Sequence, residues 1–96
     1  MITIVLDGEL ITSEKEFHKQ ISKKLEFPSY YGNNLDAFWD CFTDFLVAPR
    51  QDKVVLLWKN HEVSKNGLGA ESFNKILDLI SSAGQKWRVD LTINLS

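Results

Sequence analysis

Three aspartates recur at four-residue intervals in the middle of the chain, at Asp36, Asp40 and Asp44. In a helix this spacing places them on one side, where like charges repel by about a few tenths of a kcal/mol per pair. Residues 25–49 carry four acidic side chains and no basic one. Because the whole chain has a net charge of −2, the remaining residues sum to +2. A negative field concentrated in this way attracts a positively charged partner and speeds its association.

Aromatic side chains flank these carboxylates. Trp39 lies between Asp36 and Asp40, and Tyr30 and Tyr31 precede the acidic segment. Tryptophan and tyrosine dominate interface hot spots, because they bury a large area and lose little rotamer entropy. Carboxylates accept paired hydrogen bonds from arginine, as phosphate does. The combination predicts a surface that could occupy the phosphate site of an enzyme that binds nucleic acid.

Catalysis by this chain is a weaker interpretation. Carboxylates spaced i, i+4 on an exposed helix lack the enclosure that shifts pKa values. Cys41 falls on the apolar side of the helix and is expected to be a core residue, whereas His18 and His61 are isolated and expected at the surface. There is no Gly-rich phosphate loop, catalytic triad or metal-ligand spacing. The sequence therefore predicts no catalytic residue, no metal and no cofactor.

Composition indicates one ordinary globular domain over residues 1–96, with 44% hydrophobic and 25% charged residues. The single cysteine excludes an intrachain disulfide. The N-terminal apolar run is too short for a signal peptide, and no segment suggests a membrane span. We therefore expect a cytoplasmic protein. The slight acidity argues against direct nucleic-acid binding.

The aspartates are predicted to lie on a second helix from about Leu35 to Leu46, capped by Asn33 or Asn34. At 100° per residue one broad arc is apolar and must pack inward. That arc contains Leu35, Phe38, Cys41, Phe42, Phe45 and Leu46. The aspartates and Thr43 fall in the other arc, with Trp39 on the border. In the preceding loop, Gly32 is expected to supply a positive φ.

The other elements follow the order β-α-α-β-α-β. Residues 2–6 and 53–58 are apolar strands, and the second is expected to be covered on both faces. Residues 89–95 alternate and predict an edge strand. A first helix begins at the capping residue Ser13, and a third runs from Ala70 to a stop at Gly84. Residues 60–68 are a loop or a short helix. Helical crossovers favour parallel strands, so the predicted fold class is α/β, with a three-stranded parallel sheet flanked by helices.

The stretch PSYYGNNLDAFWDCFT, residues 28–43, resembles the signature of the barstar family, intracellular inhibitors of barnase-type ribonucleases. Residues 4–9, 69–72 and 90–96 also match, so the resemblance covers nearly the whole chain. It implies a three-stranded parallel sheet flanked by helices. It also implies stoichiometric inhibition of a basic, guanyl-preferring ribonuclease, whose active site is blocked by the second helix and the preceding loop.

The resemblance also implies roles for individual residues. Asp40 resembles the key carboxylate, which takes the place of a substrate phosphate and contacts the enzyme's arginines and catalytic histidine. Asp36 resembles a second charged contact, and Tyr30 resembles the aromatic that packs on that histidine. Four residues match contact or supporting positions: Asn34, Leu35, Trp39 and Thr43.

Several departures from the family pattern bear on the partner. Asp44 stands where the family has glycine, which adds charge and bulk at a contact position. The acidic contact expected on the third helix falls on Leu79, with Asp78 adjacent but about 100° away around the helix. The expected partner is a basic extracellular-type ribonuclease, or a related toxin domain, bound by a monomer in a 1:1 complex. The alternatives are a binding module for a non-nuclease basic protein, a small enzyme that uses the carboxylates, and a merely solvated helix face.

Overall fold

The computed structural model describes residues 1–96. The strands are β1 (Ile2–Asp7), β2 (Lys53–Lys59) and β3 (Asp90–Leu95), and the helices are α1 (Glu14–Lys24), α2 (Leu35–Val47), α3 (His61–Leu68) and α4 (Ala70–Lys86). A 3-10 turn follows β1 at Gly8–Leu10. The strands form one parallel sheet in the order β1-β2-β3. The predicted fold class is confirmed, and residues 61–68 are a short helix.

The core lies between one face of the sheet and helices α1, α2 and α4. At its centre the indole of Trp58 on β2 stacks on Phe17 of α1, with ring centroids 5.9 Å apart, and meets Phe73 of α4 at 5.1 Å. The indole N–H donates to Ser64 Oγ at 2.9 Å, and that hydroxyl donates to the Gly8 carbonyl at 2.9 Å. Each large buried apolar side chain contributes about 1.5–3 kcal/mol. Apolar packing therefore holds the helices against the sheet.

The central strand β2 is buried on one face only. Val54, Leu56 and Trp58 are fully buried, whereas Val55 and Leu57 on the opposite face are half-buried and lie outside the core cluster. The expectation that β2 is covered on both faces is therefore wrong for the outer face. An unbroken apolar run is equally compatible with a second face that is only partly covered. The prediction for β3 is confirmed, because this strand pairs on one side alone.

Two glycines do not play the predicted roles. Gly84 does not end α4, which continues to Lys86. A Cβ at residue 84 would lie 2.9 Å from Leu91 Cβ, so the glycine allows β3 to approach the helix closely. In the loop before α2, the positive φ of 53° belongs to Asn33 and not to Gly32. Asparagine tolerates the left-handed region better than most residues with a Cβ.

No helix in the chain combines the length and the apolar character needed to cross a bilayer.

Candidate functional site

Helix α2 presents its acidic side outward because both its start and its apolar face are fixed. Asn34 is the N-cap, and its Oδ1 accepts a hydrogen bond from the Ala37 N–H at 2.8 Å. Phe38, Phe42 and Leu46 are buried, and the Phe38 ring lies 5.3 Å from that of Phe17 on α1. These contacts set the rotation of the helix, so residues on the opposite arc must face solvent. The predicted start and cap of α2 are confirmed, and the helix ends at Val47, one residue beyond the predicted end. Of the predicted inward arc, Phe38, Phe42 and Leu46 are buried, whereas Leu35, Cys41 and Phe45 are only half-buried at its edges.

The three aspartates of α2 are exposed and make no ion pair within the chain. No Lys or Arg nitrogen lies within 4.0 Å of Asp36, Asp40 or Asp44. The two contacts within 4.0 Å between a histidine nitrogen and a carboxylate join His18 to Glu14 at 3.3 Å and His61 to Glu62 at 3.1 Å. The acidic charge of α2 is therefore available to a partner.

Asp36 and Asp40 line a groove between α2 and α4. Its other lining residues are Leu35 and Trp39 from α2, and Lys75 and Leu79 from α4. Lys86 Nζ lies 5.7 Å from the centroid of the Trp39 ring, within the range of a cation–π contact. The groove thus has an acidic wall on α2, an amine on α4 and apolar side chains between them. It suits a cationic side chain with an aliphatic stem, such as arginine.

On the α4 wall of the groove, the resemblance to the family had pointed to Leu79 as a contact position, but Lys75 was not predicted. Leu79 lies in the groove, whereas Asp78 is exposed and does not line it. Hence no acidic side chain of α4 lines this groove. Lys75 occupies the position one turn before Leu79, on the same side of α4. That i, i+4 relation could have identified Lys75, but only once Leu79 was known to face α2.

Asp44 lies on a different flank of α2. It lines a second depression with Cys41 and Phe45, next to residues 25–28 and away from the groove. Successive aspartates spaced by four drift by about 40° around the helix, so Asp44 is turned roughly 80° from Asp36. Burial, followed by the negative charges of Asp44 and Asp40, raises the pKa of the half-buried Cys41 thiol. A protonated thiol of this kind is a poor nucleophile.

The two adjacent tyrosines in the loop before α2 differ in their exposure to solvent. Tyr30 is 84% exposed, whereas Tyr31 is 8% exposed. The Tyr31 hydroxyl lies 2.5 Å from Nδ1 of His18, which is itself buried. The prediction that His18 lies at the surface is therefore wrong, because its hydrogen-bond partner is thirteen residues away and invisible to local patterning. Burial, with smaller effects from Cys41 and Glu14, raises the pKa of Tyr31 well above 10.

Of four further predicted residues, two line the groove and two do not. Leu35 and Trp39 are half-buried in its wall, as expected for a border tryptophan. Thr43 is also half-buried, and its hydroxyl is buried without a hydrogen-bond partner. The exposed Asn34 is committed to capping α2 and also donates from Nδ2 to the Gly32 carbonyl at 3.3 Å. Neither Asn34 nor Thr43 lines the groove, and the buried hydroxyl of Thr43 departs from the prediction that this residue lies on the outward arc.

Comparison with known proteins agrees with this architecture. The sequence model of the family described as "Barstar (barnase inhibitor)" matches residues 1–95. A Bacillus subtilis (strain 168) protein named "Putative ribonuclease inhibitor YrdF" is 34% identical over 93 residues, which cover 97% of this chain and 97% of that protein. Both matches extend over the sheet, the four helices and the groove. The chain belongs to the barstar family.

Proposed function

We propose that this chain inhibits a basic, guanyl-preferring ribonuclease by blocking its active site with α2 and the loop that precedes it. Membership of the barstar family and the name of the Bacillus subtilis relative support a ribonuclease-inhibitor role. The observation that carries the mechanism is the pair of exposed, unpaired carboxylates of Asp36 and Asp40 beside Trp39. Carboxylates without an internal partner have their full charge to offer a cationic cleft.

In this proposal Asp40 takes the place of a substrate phosphate and accepts hydrogen bonds from the arginines and the histidine of the ribonuclease. Asp36 makes a second charged contact, and the exposed Tyr30 ring packs on the catalytic histidine. Asp44 lies at the rim, where its charge acts on association more than on the lifetime of the complex. Leu35, Trp39, Asn34 and Thr43 exclude water or hold these groups in place.

The inhibitor acts stoichiometrically and performs no chemistry itself. A basic cleft attracts the acidic face of α2 from a distance, so association is fast at low ionic strength. The complex contains one monomer of each protein, and the inhibitor works in the cytoplasm on a ribonuclease that is otherwise secreted.

A second candidate function is a binding module for a basic protein that is not a nuclease. The α4 wall favours it, because Leu79 stands where a further acidic contact would be expected and the groove also contains the amine of Lys75. A partner that fits this groove needs a cation opposite α2 and a neutral or acidic group opposite α4. Such a partner need not have ribonuclease activity.

The test is an activity titration. Barnase is one probe, and the other is the product of a neighbouring gene if that gene encodes a basic secreted ribonuclease. Cleavage of a guanosine-containing RNA should fall linearly to zero at one equivalent of inhibitor, and co-expression should restore growth to cells that produce the ribonuclease.

Each titration should be repeated with Asp40→Ala and with Asp90→Ala, which removes one exposed aspartate of β3 outside the groove. Full activity of both ribonucleases at excess inhibitor would overturn the proposal. A basic partner that binds through Asp40 but cleaves no RNA would favour the binding module.

A further inference from the structure

The loop from Pro28 to Asn34 has a single hydrogen bond to an element other than α2. Its other hydrogen bonds are internal, such as Tyr31 N–H to the Pro28 carbonyl at 3.0 Å, or belong to the cap of α2. The exception joins the Tyr31 hydroxyl to His18 Nδ1 on α1 at 2.5 Å. One polar contact therefore ties this loop to the body of the protein.

The hydrogen-bond partners of His18 indicate which atom donates and which accepts in each contact. His18 Nε2 lies 3.3 Å from Glu14 Oε1, and a carboxylate can only accept. Nε2 of a neutral imidazole therefore carries the proton and donates to Glu14, which leaves Nδ1 as an acceptor. The Tyr31 hydroxyl then donates to Nδ1, and it has no other partner. Glu14, His18 and Tyr31 form one chain of hydrogen bonds that fixes the imidazole ring.

Tyr31 is the residue through which this loop packs against the rest of the protein. Its ring packs on Phe27 with centroids 5.0 Å apart and on His18 at 5.6 Å. By contrast, every other residue of the loop, including Tyr30, is exposed. Exposed residues with few contacts open locally at little cost. The position of Tyr30 therefore depends on how firmly Tyr31 is held.

We infer that His18, on α1 and buried away from the groove, is a positioning residue that holds the loop in its binding conformation through Tyr31. The inference rests on the proposed function only in assigning the loop to the interface. If the free loop samples several conformations and one of them binds, the apparent Kd rises as the competent fraction falls. Rapid exchange among those conformations lowers the association rate by the same factor.

The first test measures the free protein. Tyr31→Phe keeps the ring and removes the hydroxyl, so backbone ¹⁵N relaxation and amide hydrogen exchange should show a more mobile loop at residues 29–34. His18→Leu, which cannot accept the hydrogen bond, should loosen the same residues. His18→Asn places an amide oxygen near the former Nδ1 and should restore order in part. The loop should be no more mobile in the double variant of Tyr31→Phe and His18→Leu than in either single variant, because both substitutions remove the same hydrogen bond.

The second test measures association with the ribonuclease that the wild-type protein inhibits. Tyr31→Phe should lower the association rate about tenfold, with little change in dissociation. Ser64→Ala is the matched control, because it removes two buried hydrogen bonds that join α3 to Trp58 and Gly8 and involve no atom of the loop. This control should lower the stability of the protein and leave the association rate unchanged.

The outcomes separate the two proposals. An equally ordered loop in Tyr31→Phe, or an association rate that falls as much in Ser64→Ala, would overturn the positioning role and leave the inhibitor proposal intact. A loosened loop in a protein that inhibits no ribonuclease would support the positioning of the loop and refute the inhibitor proposal.

Discussion

Asp40→Ala should separate binding from stability more cleanly than any other change in this chain. The Asp40 side chain is exposed and has no ion pair or hydrogen bond within the protein, so its removal leaves no internal group unpaired. It also relieves the i, i+4 repulsion with Asp36 and Asp44, worth about a few tenths of a kcal/mol per pair. The free energy of unfolding should therefore stay the same or rise slightly.

The effect on binding should be large. Truncating one partner of a buried, hydrogen-bonded charge pair costs about 2–5 kcal/mol or more in protein complexes, a generalisation for which the barnase–barstar pair is itself a worked example. This corresponds to roughly a 30- to 4,000-fold rise in Kd. Most of it should appear as faster dissociation, because the ribonuclease cation is left buried without its counter-charge. Asp90→Ala removes the same charge at an exposed position outside the groove, so it should change Kd less than about threefold.

Surface plasmon resonance against the inhibited ribonuclease gives both rate constants, and urea unfolding gives the stability. A complex of Asp40→Ala with the wild-type dissociation rate would refute the role assigned to Asp40. A clear drop in stability would show instead that the carboxylate has a structural partner. In that case the argument from unpaired charge would fail.

Four other changes have expected outcomes. Asp44→Ala should slow association and flatten its dependence on ionic strength without much change in dissociation, as stopped-flow mixing at several salt concentrations would show, because Asp44 lies on another flank of α2 than the groove and is proposed to act only at the rim of the interface. Lys75→Ala removes the amine of the groove and should speed association with a basic partner at low salt, an advantage that must vanish in concentrated salt if it is electrostatic. Gly84→Ala should destabilise the protein by about 1–3 kcal/mol in urea unfolding, because its Cβ would press on Leu91; unchanged stability would mean that β3 moves away freely. The raised pKa of Tyr31 means that the unfolded chain ionises first as pH rises through 10, so stability should fall above that pH, and Tyr31→Phe should show a shallower alkaline decline.

The local sequence pattern was sufficient to predict the features that depend on a single helix or strand. The spacing of Phe38, Phe42 and Leu46 fixed the inward face of α2, and Asn34 was recognisable as a cap. The connection of strands through helices led to the parallel sheet, because such crossovers rarely produce any other pairing. The outward direction of Asp36 and Asp40 follows from the same helical geometry.

Apart from the positive φ, which falls on Asn33 rather than Gly32, the features that sequence reasoning missed depend on a distant neighbour. His18 is buried because Tyr31 comes from another element, and Gly84 is required because Leu91 passes beneath α4. Lys75 belongs to the groove only because α4 packs beside α2. Helical periodicity says which residues share a face but not which element covers that face. The half-open outer face of β2 was missed for the same reason.

The stability of α2 and its proposed binding role lie on opposite faces of one helix. Its acidic face is unfavourable for folding, since Asp36, Asp40 and Asp44 repel one another and Asp44 lies near the negative end of the helix dipole. These costs amount to about 1 kcal/mol in all. Each buried side chain of the inner face, such as Phe38 or Phe42, contributes about 1.5–3 kcal/mol and outweighs them. The helix can therefore keep unneutralised carboxylates on its surface, and substitutions there should alter binding while the inner face continues to hold the fold.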